Sequence, residues 1–68
     1  MDSVYKVIEL VGTSPNSFED AAKNAVEMAA KSLQDIRIAE VSAFDMKVED
    51  GKVMSYRAKV KISFKYKE

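Results

Sequence analysis

Residues 56–67, YRAKVKISFKYK, alternate between two kinds of side chain. The even positions are apolar or aromatic, and the odd positions are cationic except for Ser63. The cations are Arg57, Lys59, Lys61, Lys65 and Lys67. Because successive side chains of a β-strand point to opposite faces, the pattern predicts a strand with one apolar face and one positively charged face. The apolar face needs a core, and the charged face needs a partner or solvent.

The length and composition limit how such a strand can be stabilised. With 68 residues the chain fits one domain, which we expect to span residues 1–68. Small domains bury little surface and usually need a disulfide, a metal or a partner subunit. The chain has no cysteine and no histidine, so it lacks disulfides, thiolate zinc sites and the usual nucleophiles and proton shuttles. The composition therefore favours self-association and a protein that is not an enzyme.

The charges cancel overall but are unevenly distributed. Eleven basic and eleven acidic residues give zero net charge, which argues against nucleic-acid or anionic-membrane partners. Residues 1–50 hold five basic and ten acidic groups, whereas residues 51–68 hold six basic and one acidic. Such a split suits contact between unlike segments within or between copies. No signal-peptide pattern or membrane-length apolar segment is present in the sequence, so we expect a soluble, cytoplasmic protein.

The first half of the chain predicts a strand followed by a helix. Residues 4–11, VYKVIELV, are rich in β-branched residues and apolar on both faces, which is typical of a covered strand. The turn formers GTSPNS follow, and Ser17 stands where a helix N-cap is expected. From Phe18 to Leu33, apolar residues recur at helical spacing. Five alanines on this stripe predict a helix that lies close against a sheet.

The second strand is predicted from Ile36 to Val48, although its apolar pattern changes phase in the middle. A two-residue Asp50-Gly51 loop would place its even residues opposite odd ones of the last strand. We therefore expect a three-residue loop, residues 49–51, with a bulge at Gly51. The predicted apolar pairs are Met46 with Met54, Phe44 with Tyr56, Ile38 with Ile62, and Ile36 with Phe64. On the charged face, this register sets Ala43, Val41 and Ala39 opposite Arg57, Lys59 and Lys61.

The element order β-α-β-β predicts an α+β fold with one helix on a three-stranded antiparallel sheet of order 1-3-2. The helix covers one face of the sheet. The other face is half apolar and half cationic, and we expect it to be buried against another copy of the chain. Acidic residues such as Asp45 or Glu49 would arrive there across the interface.

Three chemical alternatives rest on particular residues. Nucleic-acid binding needs aromatic and cationic side chains on one face, whereas here they alternate between faces. Glu40, placed on the apolar face opposite Val60, is a candidate general acid or base, although such a residue is more often part of an ion pair or caps a neighbouring backbone at an interface. The acidic residues Asp45, Glu49 and Asp50 carry hard oxygen ligands for calcium without a calcium-loop spacing, so a solvated turn is the simpler interpretation.

The segment VYKVIELVGTSPNSFEDAAKNAVEMAAKSL, followed by IRIAEV and the alternating last strand, resembles the dodecin family over nearly the whole chain. The resemblance implies a hollow homododecamer with no partner other than itself and a small-molecule ligand. It also implies a role in storing or sequestering flavins such as riboflavin, FMN or FAD. Some relatives without the family's tryptophan are regarded as calcium-binding, so calcium is a second possible ligand.

The resemblance also implies candidate cofactor-binding residues. Dodecins stack the flavin ring on a tryptophan of the second strand, which falls on Ile38 here, and bind its edge through a glutamine of the third strand, which falls on Arg57. Asp45 and Lys65 complete the candidate set. Ile38 offers an apolar wall and Arg57 can grip a phosphate or carbonyl, so the expected function is ligand binding with a degraded or repurposed flavin pocket. The alternative is a structural or stress-related shell, or a calcium-binding variant, without flavin.

Overall fold

The computed structural model describes residues 3–66, and its four elements follow the predicted order β-α-β-β. They are β1 (Tyr5–Ser14), α1 (Phe18–Ala30), β2 (Ile36–Glu49) and β3 (Lys52–Lys65). The strands form one sheet of order β1-β3-β2, with β3 antiparallel to both neighbours. The predicted fold class and strand order are confirmed. Lys67, the last cation of the alternating stretch, lies outside the described residues.

The helix begins where the sequence predicts and ends earlier. Ser17 is extended, and its Oγ accepts a hydrogen bond of 3.0 Å from the Asp20 backbone N–H, as an N-cap should. The helix ends at Ala30 rather than Leu33, and residues 31–32 form a turn. Leu33 still packs against the core because its N–H donates to the Ala29 carbonyl and keeps it at helical spacing.

The core lies between the alanine stripe of α1 and the even residues of β3. Ala21, Ala25 and Ala29 are buried on the helix side, and Ala58, Val60 and Ile62 on the strand side. Full burial of an aliphatic side chain such as Ile62 contributes about 1.5 to 3 kcal/mol. Small alanine side chains bring the helix axis close to the sheet. The predicted apolar face of β3 is therefore the centre of the core.

The predicted register of β2 against β3 is wrong except at the Ile36–Phe64 pair. Asp50 and Gly51 both have positive φ, 49° and 73°, which is the signature of a two-residue type I′ turn. The ladder then shifts at three places: between Lys47 and Val48, between Val41 and Ala43, and between Ile36 and Ile38. Each shift inserts one extra residue on one strand, so the apolar faces stay aligned without a three-residue loop.

The two-residue turn, in place of the predicted three-residue loop, changes which face several β2 residues occupy. Val41 pairs with Val60 and Ala39 with Ile62, so both lie on the helix side rather than on the charged face. Ile38 pairs with Ser63, which lies on the face opposite the helix. Phe44 and Tyr56 stay on the helix side, as predicted, where Phe18 contacts both rings at centroid distances of 4.8 and 5.1 Å.

Candidate functional site

The sheet face away from α1, here called the charged face, holds the candidate residues. It is built by the odd residues of β1, by the odd residues of β3 from Ser55 to Lys65, and by the β2 residues that pair with them. Lys59 lies at its centre between Val11 and Ala43. Its cations are Arg57, Lys59, Lys61 and Lys65 on β3 with Lys47 on β2, and its acids are Glu9, Glu40 and Asp45.

Arg57 and Asp45 form a bidentate ion pair on this face. They are cross-strand partners, and Arg57 Nε and Nη2 donate to the two carboxylate oxygens of Asp45 at 2.6 and 2.9 Å. These hydrogen bonds hold the pKa of Asp45 below its ordinary value of 3.8. Loss of solvent around the carboxylate partly opposes this, and the charges of Arg57 and Lys59 lower the pKa further. Asp45 therefore pairs with Arg57 of its own chain, whereas the sequence predicted that it would meet the charged face of another copy.

Replacing Asp45 by asparagine is expected to remove an acid-sensitive contribution to stability. Because the folded-state pKa of Asp45 lies below its unfolded value, the contribution is complete at neutral pH and is lost as the pH falls below about 3.8. Both side chains are 42% exposed, so solvent weakens the effect. Urea unfolding at pH 7 and pH 3 measures it. An equal stability difference between wild type and variant at the two pH values would contradict it.

Lys61 is flanked by carboxylates on both neighbouring strands. Glu9 of β1 and Glu40 of β2 are its cross-strand partners, and all three side chains are exposed. The prediction that Glu40 lies on the apolar face opposite Val60 is wrong, because the two-residue Asp50-Gly51 turn, in place of the predicted three-residue loop, sets Glu40 opposite Lys61 on the charged face. The catalytic hypothesis for Glu40 rested on that apolar setting. The lysine stems also face acids and not only small apolar neighbours, contrary to the predicted register.

The four candidate residues form two separate groups. Arg57 and Asp45 are in contact, whereas Ile38 pairs with Ser63, six residues further along β3, and Lys65 is two residues beyond that. At about 3.3 Å per residue the two groups are about 20 Å apart. Ile38 is 62% exposed. One ring-sized ligand cannot touch both groups of the same chain, so a site that uses both must combine copies.

Sequence patterns missed Glu9, Val11 and Thr13 as members of the charged face. They lie opposite Lys61, Lys59 and Arg57 across the β1–β3 ladder. Residues 4–11 are apolar on both alternating faces apart from two charges, so the pattern could not say which face meets the helix. Its two charges, Lys6 and Glu9, fall on opposite alternating faces, so they do not mark the side away from the core either.

The comparison with protein families identifies the chain. The family model described as Dodecin matches residues 4–67. This chain belongs to the dodecin family. The dodecin of Thermus thermophilus is 32% identical over 68 residues, covering 100% of this chain and 99% of the relative. The resemblance in the strand-turn-helix segment is therefore confirmed, and the chain is a protein of the small ligand-binding dodecin type.

Two further relatives match this chain, and the name of one of them contains a ligand. The protein named calcium dodecin of Mycobacterium tuberculosis is 51% identical over 63 residues, covering 93% of this chain and 89% of the relative. Its crystal structure, described as that of a calcium chelating antigen with a novel calcium-binding site, superposes with a TM-score of 0.84 and covers 96% of this chain and 93% of that one. The dodecin of Streptomyces coelicolor superposes with a TM-score of 0.92 at 34% identity, covering 98% and 96%.

The metal-ligand inventory of this dodecin consists of oxygen donors. Without cysteine or histidine, the side-chain ligands for a cation are carboxylates, hydroxyls and amides, which suit a hard ion such as calcium. Within residues 3–66, no three acidic side chains lie close enough together to hold a metal ion. The oxygen donors therefore suit calcium, but residues 3–66 of one chain bring too few carboxylates together to form a calcium site.

Residues 3–66 contain no helix that is long and apolar enough to cross a membrane.

Proposed function

We propose that this dodecin assembles into a hollow homododecamer and binds calcium rather than flavin, acting as a non-enzymatic store or buffer in the cytoplasm. The choice of calcium over flavin rests on the residues at the two positions that bind flavin in the resemblance described above, Ile38 and Arg57. Ile38 offers no aromatic ring, and the Arg57 guanidinium is already engaged by Asp45. The 51% identity to a protein named calcium dodecin supports the same choice.

Self-assembly is supported by the apolar surface that one chain leaves uncovered. Thirteen large apolar side chains among the described residues are exposed by 38% or more, against six buried apolar residues in the core. The molecule is also elongated, 53 × 20 × 15 Å, because β2 and β3 extend beyond the helix. A small domain with this balance gains most of its missing burial from other copies.

The argument against flavin is energetic. Stacking on an aromatic ring is worth about 1 to 3 kcal/mol by analogy with nucleic-acid bases, which corresponds to a factor of about 5 to 150 in affinity. An aliphatic wall at Ile38 retains apolar contact without ring stacking. Arg57 can bind a flavin edge only by giving up two charge-assisted hydrogen bonds to Asp45. Both changes lower flavin affinity.

Calcium binding by this proposal depends on assembly. Within residues 3–66 of one chain, no three acidic side chains lie close together. A calcium site with three or more carboxylates must therefore take ligands from more than one copy. Glu9 and Glu40 are exposed on the charged face and available to such a site. Burial of the charged face against another copy, expected from the sequence, is part of the same proposal.

Titration of the purified protein distinguishes the candidate functions. We expect a saturable heat change on adding calcium to the assembled protein, no response after dilution into dissociated chains, and no quenching of riboflavin, FMN or FAD fluorescence. Magnesium serves as the control, because it demands smaller, stricter octahedral coordination. Quenching of flavin fluorescence would support flavin binding in place of calcium binding. No binding signal with calcium or with any flavin would favour a structural shell without ligand.

A further inference from the structure

Ser42 forms a β-bulge near the middle of β2. Val41 pairs with Val60 and Ala43 pairs with Lys59. Because Lys59 and Val60 are consecutive on β3, Ser42 is an extra residue without a partner of its own in the ladder. Its Oγ donates a hydrogen bond of 3.2 Å to the Lys59 backbone carbonyl. The serine hydroxyl therefore ties the extra residue to the central strand of the sheet.

This bulge decides which face the first half of β2 presents. Ile38 and Asp45 are separated by an odd number of positions, so a regular strand would place their side chains on opposite faces of the sheet. The shift at Ser42 is the one shift between them, and it puts both on the charged face. There Ile38 pairs with Ser63 and Asp45 pairs with Arg57. The two groups of candidate residues therefore share a face because of one extra residue.

The exposure of Glu40 depends on the same bulge. In the structure Glu40 stands opposite Lys61, which has Glu9 on its other side. If the pairing on the turn side of the bulge continued unshifted, Val41 would stand opposite Lys61 and Glu40 would stand opposite Ile62. Ile62 is fully buried in the core, where an unpaired carboxylate is strongly disfavoured. The extra residue thus leaves carboxylates of both edge strands on the charged face.

We propose that Ser42 is a positioning residue of the ligand site: the bulge that it forms, and its hydrogen bond to β3, keep Ile38 and Glu40 on the charged face. The link to calcium rests on the proposed function, in which Glu40 is one of the carboxylates available to the ion. Ser42 acts through the register of β2 and not by contact with the ligand. An extra residue is a common way to re-aim the side chains beside a site.

Disulfide trapping reads the register of β2, because the chain has no cysteine of its own. Ile38 and Ser63 are cross-strand partners, and the Cα atoms of such partners lie about 4.5 to 5.5 Å apart, which a disulfide can span. Ile38→Cys with Ser63→Cys, the native-register pair, should therefore form a disulfide within one chain on oxidation with diamide. Ala39→Cys with Ser63→Cys, the shifted-register pair, should not, because Ala39 lies on the helix side. The mass of the denatured, unreduced chain distinguishes the two results.

Substitutions at the bulge should change which pair forms a disulfide. Ser42→Val removes the hydroxyl and should slow the native-register disulfide, whereas Ser42→Thr has the same shape, keeps the hydroxyl and should match the wild type. Adding Glu40→Val to Ser42→Val makes every even residue from 36 to 48 apolar, which favours a regular strand. In that double variant the shifted-register disulfide should replace the native-register one. Circular dichroism verifies the fold, and the valine–threonine comparison decides the question if the double variant is unfolded.

Calcium titration tests the link between the bulge and the ligand. Ser42→Val keeps every carboxylate of the charged face, and we expect it to raise the calcium dissociation constant of the assembled protein about 3- to 10-fold, with Ser42→Thr near the wild type. A native-register disulfide that forms at the wild-type rate in the double variant would overturn the positioning role. Equal calcium affinities of the valine and threonine variants would overturn its link to the ligand. A wild type that binds no calcium would overturn the proposed function, and the disulfides would still decide the positioning role.

Discussion

Gly12→Ala is expected to destabilise the fold more than any other single-methyl addition to β1. A Cβ built at Gly12 would overlap the Ala21 carbonyl oxygen and lie 2.9 Å from the Ala25 Cβ. Both neighbours belong to the buried stripe of α1, and a backbone oxygen cannot move without the helix. Overpacking of this kind typically costs 1 to 3 kcal/mol, and we expect about 3 kcal/mol or more.

Urea unfolding followed by circular dichroism measures this effect. Gly51→Ala is the matched control: its added methyl group meets no atom within 4 Å, although Gly51 has a φ of 73°. That variant should lose about 1 kcal/mol through backbone strain alone. If Gly12→Ala unfolds at the wild-type urea concentration, α1 does not lie as close to β1 as the structure shows.

Ile38→Trp is expected to raise the affinity of the protein for flavin. Ile38 is 62% exposed on the charged face, so a larger ring fits there without displacing core residues. We expect riboflavin affinity to rise by about 10- to 100-fold, the value of one ring stack. Adding Arg57→Gln should raise it further, because glutamine supplies both a donor and an acceptor in place of a guanidinium held by Asp45.

Riboflavin fluorescence quenching measures this gain. Val7→Trp is the control, since Val7 lies on the same face at the other side of Ser63 and is also about half exposed. A ring there adds apolar surface without restoring the family's position. If Ile38→Trp and Val7→Trp bind riboflavin equally, position 38 does not determine ligand choice.

Sequence alone predicted the parts of the fold that depend on local periodicity. The alternation in residues 56–67 placed Ala58, Val60 and Ile62 in the core, and the helical spacing placed the buried alanine stripe. Ser17 was recognised as the N-cap because its side chain completes the first helical turn. These features follow from periods of 2 and 3.6 residues, which do not depend on the rest of the fold.

The register of β2 could not be obtained in the same way. The Asp50-Gly51 turn was rejected because it sets even residues against odd ones over the whole hairpin. The structure keeps that turn and corrects the phase with bulges, one of them between Val41 and Ala43, where the apolar pattern changes. The change of phase was visible in the sequence and is the signature of a bulge. A uniform ladder could not accommodate it.

The sequence predicted which residues belong to the candidate site, but it did not predict how they are arranged. Arg57 and Asp45 were both named, but their contact depends on the shift between Lys47 and Val48 in the β2–β3 ladder. Glu40 faces Lys61 because of the two-residue turn, since the two shifts between that turn and Glu40 cancel. Single-residue shifts move a side chain to the other face of a sheet, so errors in register become errors in the site. Only three-dimensional pairing resolves them.

Native mass spectrometry of the purified wild-type protein, with and without added calcium, tests the central claim most directly. We expect an assembly of twelve 7.6 kDa chains that gains calcium and carries no flavin. A stable 7.6 kDa monomer under the same conditions would contradict the account.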